Sequence, residues 1–235
     1  MTTTLITGAN KGLGFETARR LLADGHTVYL GSRDAGRGRA AAERLGARFV
    51  QLDVDDDASV EAAVKTVEAD GGLDVLVNNA GIEVYGADDG VIGAAELTAE
   101  VMRTVLETNV VGLVRVTHAF LPLLARSAAP VVVNVSSGLA FVSEVADPTS
   151  SRYHYPGVAY PASKAAVNMI TVQFAKAFPG MRINAVEPGH TATDLNRHVG
   201  RQTVEQGAEV IVRMASIGRD GPTGGCFTAD GPLTW

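Results

Sequence analysis

The chain has 235 residues, 46% of them apolar, and a formal charge of −6. That suits one soluble domain with a sizeable core, spanning 1–235. The acidic balance and the lack of a basic run argue against nucleic acid, and Cys226 as the single cysteine excludes an internal disulfide and argues against a Cys-based metal cluster.

The predicted elements alternate along the chain. A strand at Thr2–Ile6 runs into Gly8-Ala9-Asn10-Lys11-Gly12-Leu13-Gly14, then a helix to about Asp24 that Gly25 closes. His26–Arg33 is a second strand, and a helix follows to Leu45. Arg48–Val54 is a third strand and Asp57–Asp70 a helix. Leu73–Val77 is a fourth strand, ending in Asn78-Asn79-Ala80-Gly81. After a loop at Glu83–Gly93, Leu97–Arg126 holds the period of one long helix, with Gly112 as its possible break. Pro130–Val135 is a fifth strand ending in Ser136-Ser137. A helix then starts around Tyr160 and stops at Pro179-Gly180. Arg182–Val186 is a sixth strand ending in Pro188-Gly189, Val204–Ala215 a last helix and Gly225–Ala229 a closing strand. The strands are apolar runs without clean alternation, as expected when helices cover both faces of a parallel sheet. This predicts a doubly wound α/β fold of about seven strands, a Rossmann fold, with ligands beyond the carboxyl ends of the strands. No leader pattern and no apolar window of about 20 residues is seen, so a cytoplasmic protein without a membrane partner is expected.

Thr7-Gly8-x-x-x-Gly12-x-Gly14 sits at the first strand-to-helix turn, where glycine lets a phosphate approach the helix N-terminus. The second strand ends Gly31-Ser32-Arg33-Asp34. An acid there suits the 2′-hydroxyl of NAD(H), an arginine the 2′-phosphate of NADP(H). Ser32 and Arg33 are the expected contacts, with Asp34 capping the next helix. Lys11 adds a second cation, so NADP(H) is favoured over NAD(H).

Tyr160 and Lys164 stand four residues apart at the start of a helix, on one face, with Pro161 tolerated in the first turn. A lysine ammonium about 5 Å away at an effective dielectric of ~20 favours the phenolate by about 3 kcal/mol. Such a tyrosine passes a proton to or from an alcohol oxygen near neutral pH.

The series Thr7-Gly8-x-x-x-Gly12-x-Gly14, Asn78-Asn79-Ala80-Gly81, Asn109, Ser137, Tyr160-x-x-x-Lys164 and Pro188-Gly189 resembles the short-chain dehydrogenase/reductase family, from Thr4 to about Asp230. Asn10-Lys11-Gly12-Leu13-Gly14, Ser32-Arg33-Asp34 and Gln51-Leu52-Asp53-Val54 look most like its NADPH-dependent carbonyl reductases. The resemblance implies hydride transfer between NADP(H) and a small carbonyl or alcohol. Tyr160 would be the acid/base. Lys164 would lower its pKa and hold the nicotinamide ribose, and Ser137 would hold the substrate oxygen. Asn109 would bind a water linking Lys164 to solvent. Asp53 and Val54 would flank the adenine, and Asn79, Ala80 and Gly81 would line the cleft. Pro188, Gly189, Thr191 and Thr193 would hold the nicotinamide end. The alternative is a redox sensor that binds NADP(H) without turnover.

The gap from Ser137 to Tyr160 is longer than the resemblance leads one to expect. The extra segment, roughly Glu144–Gly157, is predicted to border the substrate site, with Glu83, Phe141, Val142, Tyr155 and His190 as further candidates. His154 is read as non-catalytic. Trp235 either folds back to a pocket or a neighbouring subunit, or frays. A homodimer or homotetramer is the weak expectation.

Overall fold

Eight strands form one open sheet in the order β3-β2-β1-β4-β5-β6-β7-β8. The computed structural model describes residues 2–235. The strands are β1 (Thr3–Ile6), β2 (Thr27–Ser32), β3 (Arg48–Gln51), β4 (Val75–Asn78), β5 (Val131–Val135), β6 (Arg182–Val186), β7 (Cys226–Thr228) and β8 (Gly231–Leu233). All pair in parallel except β7 with β8. The helices are α1 (Gly12–Ala23), α2 (Ala35–Leu45), α3 (Asp57–Ala69), α4 (Ala99–Leu106), α5 (Gly112–Leu124), α6 (Val142–Ala146), α7 (Ala159–Ala177) and α8 (Val204–Ala215).

Side chains alternate across each strand, so one strand feeds two cores. In β4, Val75 and Val77 enter the core under α1, α2 and α8, while Leu76 enters the core under α3, α5 and α7. In β5, Val131, Val133 and Val135 take the first side and Val132 the second. All these residues are buried, each contributing about 1.5–3 kcal/mol. This is why the strands read as continuous apolar runs.

Three details depart from the sequence reading. First, β8 is an eighth strand. Its Gly-Pro-Leu sequence carries no strand signal, and Pro232 is tolerated because β8 is the sheet edge. Second, the run 97–126 is not one α-helix. A π-helical turn, Glu107–Val111, separates α4 from α5. Gly112 follows that turn rather than making it, and serves close packing: a Cβ there would lie 2.9 Å from Val54 Cγ2. Third, β3 stops at Gln51, so Leu52–Val54 lie beyond its carboxyl end. Among the described residues, no helix is long and apolar enough to cross a membrane.

Candidate active site

The strand ends open into one cleft of about 1210 Å³, large enough for a dinucleotide and a second small molecule. Every catalytic and cofactor residue expected from the sequence lines it except Gly14 and Asn109, and of the further candidates Phe141 and Val142 do not.

At one end sits the head of α1. Gly8 has φ +62°, and a Cβ there would lie 2.9 Å from Ala80 Cα. The loop is tied to the end of β4: Thr7 Oγ1 accepts from the N–H groups of Asn79 (3.0 Å) and Ala80 (2.9 Å), and Asn79 Nδ2 donates to Thr7 O at 2.8 Å. α1 begins at Lys11 with no side-chain cap, whereas α2, α3, α4 and α8 are each capped by a side chain. The first N–H groups of α1 therefore face the cleft, and the helix dipole favours an anion there. An open N-terminus, the glycine turn and a cleft of this size fit the pyrophosphate of a nicotinamide dinucleotide.

The adenosine end is mixed. Arg33 is exposed on the cleft wall, and among the described residues no ion pair occupies it. Asp34 caps α2, accepting from Arg37 N at 2.9 Å. Ser32 is buried and donates to Asp34 O at 3.1 Å. Lys11 does not stand free as a second cation: its Nζ lies 2.5 Å from Asp194 across the cleft. Asp53 forms a turn, its Oδ1 accepting from Asp55 N at 3.1 Å, with buried Val54 beside it.

Tyr160 lies in the first turn of α7, and Lys164 Nζ is 5.6 Å from its ring centre. Lys164 is buried, donates to Val135 O at 2.8 Å, and burial pulls its pKa down to about 8. Tyr160 moves the other way from the sequence expectation. Burial first, then the Glu83 charge, push its phenol above the ordinary tyrosine range, and only a hydrogen bond with Ser137 opposes them. Lys164, beside the ring, donates to a backbone carbonyl. Tyr160 is therefore a neutral phenol here, with a proton to give.

Both serines reach the cleft wall, but Ser136 is buried and donates to Asn168 Oδ1 at 2.5 Å, whereas Ser137 is more exposed and its Oγ accepts from Leu139 N at 3.2 Å. Asn109 stands in the π-helical turn, a geometry frequent at functional sites. Its side chain makes three hydrogen bonds: Oδ1 accepts from Ile82 N (2.8 Å), and Nδ2 donates to Ile82 O (2.9 Å) and Ser163 Oγ (3.0 Å). In the loop after β6, Thr191 Oγ1 donates to Pro188 O at 3.2 Å, and Thr193 starts a 3-10 turn that Asn196 closes.

The insertion contributes Ser151, Arg152 and Tyr155 to the cleft, and His190 and Glu83 line it too. Phe141 is buried and stacks on Trp235 at 6.2 Å, Val142 is 76% exposed, and His154 packs edge-on to Tyr153 outside the cleft. Trp235 Nε1 donates to Gly224 O at 3.1 Å, so the indole folds back. Sequence reasoning missed Tyr85, Asp55, Arg197 and the stretch Thr228–Leu233, all on the cleft wall. None belongs to a motif. Only Asp55 had a local signal, its place just past the end of the predicted third strand.

A doubly wound sheet with a glycine turn at its first crossover and a Ser–Tyr–Lys group at the opposite end of one cleft defines a dinucleotide-dependent oxidoreductase. The short chain dehydrogenase family model matches residues 2–204, and the chain belongs to that family. The (+)-neomenthol dehydrogenase of Capsicum annuum is 31% identical, with 94% of this chain and 93% of that protein covered. The structure of salutaridine reductase from Papaver somniferum superposes with a TM-score of 0.84 at 30% identity, covering 97% of this chain and all of that one. An NADPH-bound carbonyl reductase from chicken fatty liver has the same fold, with a TM-score of 0.84 at 24% identity.

Proposed function

We propose that the chain is an NADP(H)-dependent carbonyl reductase acting on a small ketone or aldehyde. One observation carries this reading: Ser137, Tyr160 and Lys164 meet in the same cleft that holds the open end of α1 and the unpaired Arg33. The names of the relatives, a dehydrogenase and a reductase, describe the two directions of such a reaction.

The cofactor supplies the hydride when bound. The chain's own residues do the rest. The α1 N-terminus and the loop at Asn79–Gly81 would hold the pyrophosphate, and Arg33 would pair with a 2′-phosphate. Pro188, Gly189, Thr191 and Thr193 would frame the nicotinamide end. Ser137 and Tyr160 donate hydrogen bonds to the substrate oxygen, whose negative charge grows as the carbonyl carbon is reduced. Tyr160 then gives up its proton, which its raised pKa has kept in place. Lys164, beside the Tyr160 ring, stabilises the phenolate left behind. Asn109 steadies Ile82 and Ser163 around this centre, and a water linking Lys164 to solvent belongs to the same proposal.

A cytoplasmic homo-oligomer completes the reading. Val111 and Met169, 43% and 60% exposed on neighbouring helical segments, give it apolar surface. The deciding experiment follows oxidation of NADPH and of NADH against ketones, aldehydes, quinones and β-keto esters. Turnover with NADPH is expected. Turnover with NADH alone overturns the role of Arg33. Tight NADPH binding with no turnover on any carbonyl supports a sensor instead.

A further inference from the structure

Three tyrosines gather round one carboxylate at the substrate end of the cleft. Glu83 Oε2 accepts from Tyr85 at 3.0 Å, and Oε1 accepts from Tyr155. Tyr160 is close enough for the Glu83 charge to raise its phenol. Both partners of Glu83 are neutral hydroxyls. Among the described residues, no lysine, arginine or histidine forms an ion pair with it.

Arg197 and Arg152 on the cleft wall are taken by other carboxylates, and Arg201, which also lines the cleft, forms no ion pair with Glu83 among the described residues. Arg197 lies over the Tyr85 ring at 4.2 Å, but its Nη2 is 2.7 Å from Asp89. Arg152 is bound to Glu144 at 2.8 Å and lies 3.9 Å from Glu187.

Glu83 is half-buried on the cleft wall, and a charge partly withdrawn from water gains from a counter-charge beside it. An ionised carboxylate offers about four lone-pair positions, and the tyrosines take two. Aromatic ring faces attract cations as well. A carboxylate set among phenol rings is the chemistry that recognises an ammonium group.

We propose that this end of the cleft selects carbonyl compounds that also carry a positively charged nitrogen, held by Glu83 and the surrounding tyrosine rings beside Tyr160. The inference rests on the carbonyl reductase reading and names its substrate class.

The test uses two ketones of one shape. One ends in a trimethylammonium group and the other in tert-butyl, each insulated from the carbonyl by a saturated tether. Both are assayed with NADPH. The wild-type enzyme is expected to favour the ammonium ketone in kcat/KM. Glu83→Gln keeps the shape and loses the charge, and should cut the ratio of the two efficiencies roughly tenfold or more. Glu83→Asp should keep the preference. A ratio that Glu83→Gln leaves unchanged overturns the proposal. If neither ketone turns over, the reductase reading fails for this pair. Calorimetric binding of the two compounds to wild type and Glu83→Gln then decides the charge selection on its own: tighter ammonium binding confined to wild type supports it, and equal binding overturns it. If Glu83→Gln does not fold, competition by tetramethylammonium in the wild-type enzyme takes its place. It should inhibit reduction of the tert-butyl ketone far more strongly than neutral tert-butanol does, and equal inhibition by the two overturns the proposal.

Discussion

The two ends of the cleft are built differently. The dinucleotide end is made of strand-end turns held by short bonds to backbone, such as Thr7 to Asn79 and Ala80. The sheet fixes those turns, so few side chains are needed to place them. The substrate end is made of loops that side chains hold together over long stretches of chain. Tyr155 reaches Glu83 across 72 residues, Tyr85 reaches Leu195 O at 3.0 Å across 110, and Arg197 reaches Asp89 O at 2.6 Å across 108. One end is rigid because of the fold. The other is shaped by contacts that a few substitutions can rewrite, so it is the end that sets which carbonyl compound is taken.

The largest effect is expected where the two ends meet. Tyr160→Phe removes the transferable proton and should lower turnover by about a thousandfold, with NADPH affinity almost intact. Titration of cofactor fluorescence beside steady-state kinetics checks both. Retention of more than about a tenth of the activity would break the assignment of the proton to Tyr160.

The dinucleotide end was the more legible in sequence. Glycines at fixed spacing, a strand before them and a helix after them are local signals, and so is Asp34 as the cap of α2. Tyr160 and Lys164 were legible through helical spacing. The partners of these residues were not. Lys11 meets Asp194 from 183 residues away, and no pattern near Lys11 shows it. Spacing shows Lys164 beside Tyr160 but neither the burial nor Glu83, both of which push the phenol up. The π-helical turn adds residues to a continuous helical period without any breaker of its own.

A smaller effect tests the dinucleotide end alone. Arg33→Asp replaces an exposed cation by an anion at the adenosine wall, and should shift the NADPH-to-NADH efficiency ratio at least tenfold towards NADH. An unchanged ratio shows that Arg33 does not read a phosphate.

The smallest effect belongs to the substrate end. Tyr155→Phe removes one of the two hydroxyls on Glu83, a loss of about 1–2 kcal/mol. It should raise KM for the ketone several-fold and leave NADPH affinity unchanged. If cofactor affinity falls as far as substrate affinity, the two ends are not separable.

The strand order has a consequence for how the molecule comes to be made. β2 joins β1 and β3 joins β2, after which growth reverses to the far side of β1 and every later strand is laid beside the one before it. A chain emerging from a ribosome can therefore dock each new strand on an edge already present, with one reversal, at β4. At every other step the new strand docks beside the one made just before it, across connections as long as 79–130 and 136–181, and the entropy of closing a loop grows only slowly with its length. Tyr160 and Lys164 precede β6 in the chain, but the loop that faces them follows it. The nascent protein thus carries Glu83, Tyr85, Tyr155 and Tyr160 before the part of the cleft wall contributed by the chain after β6.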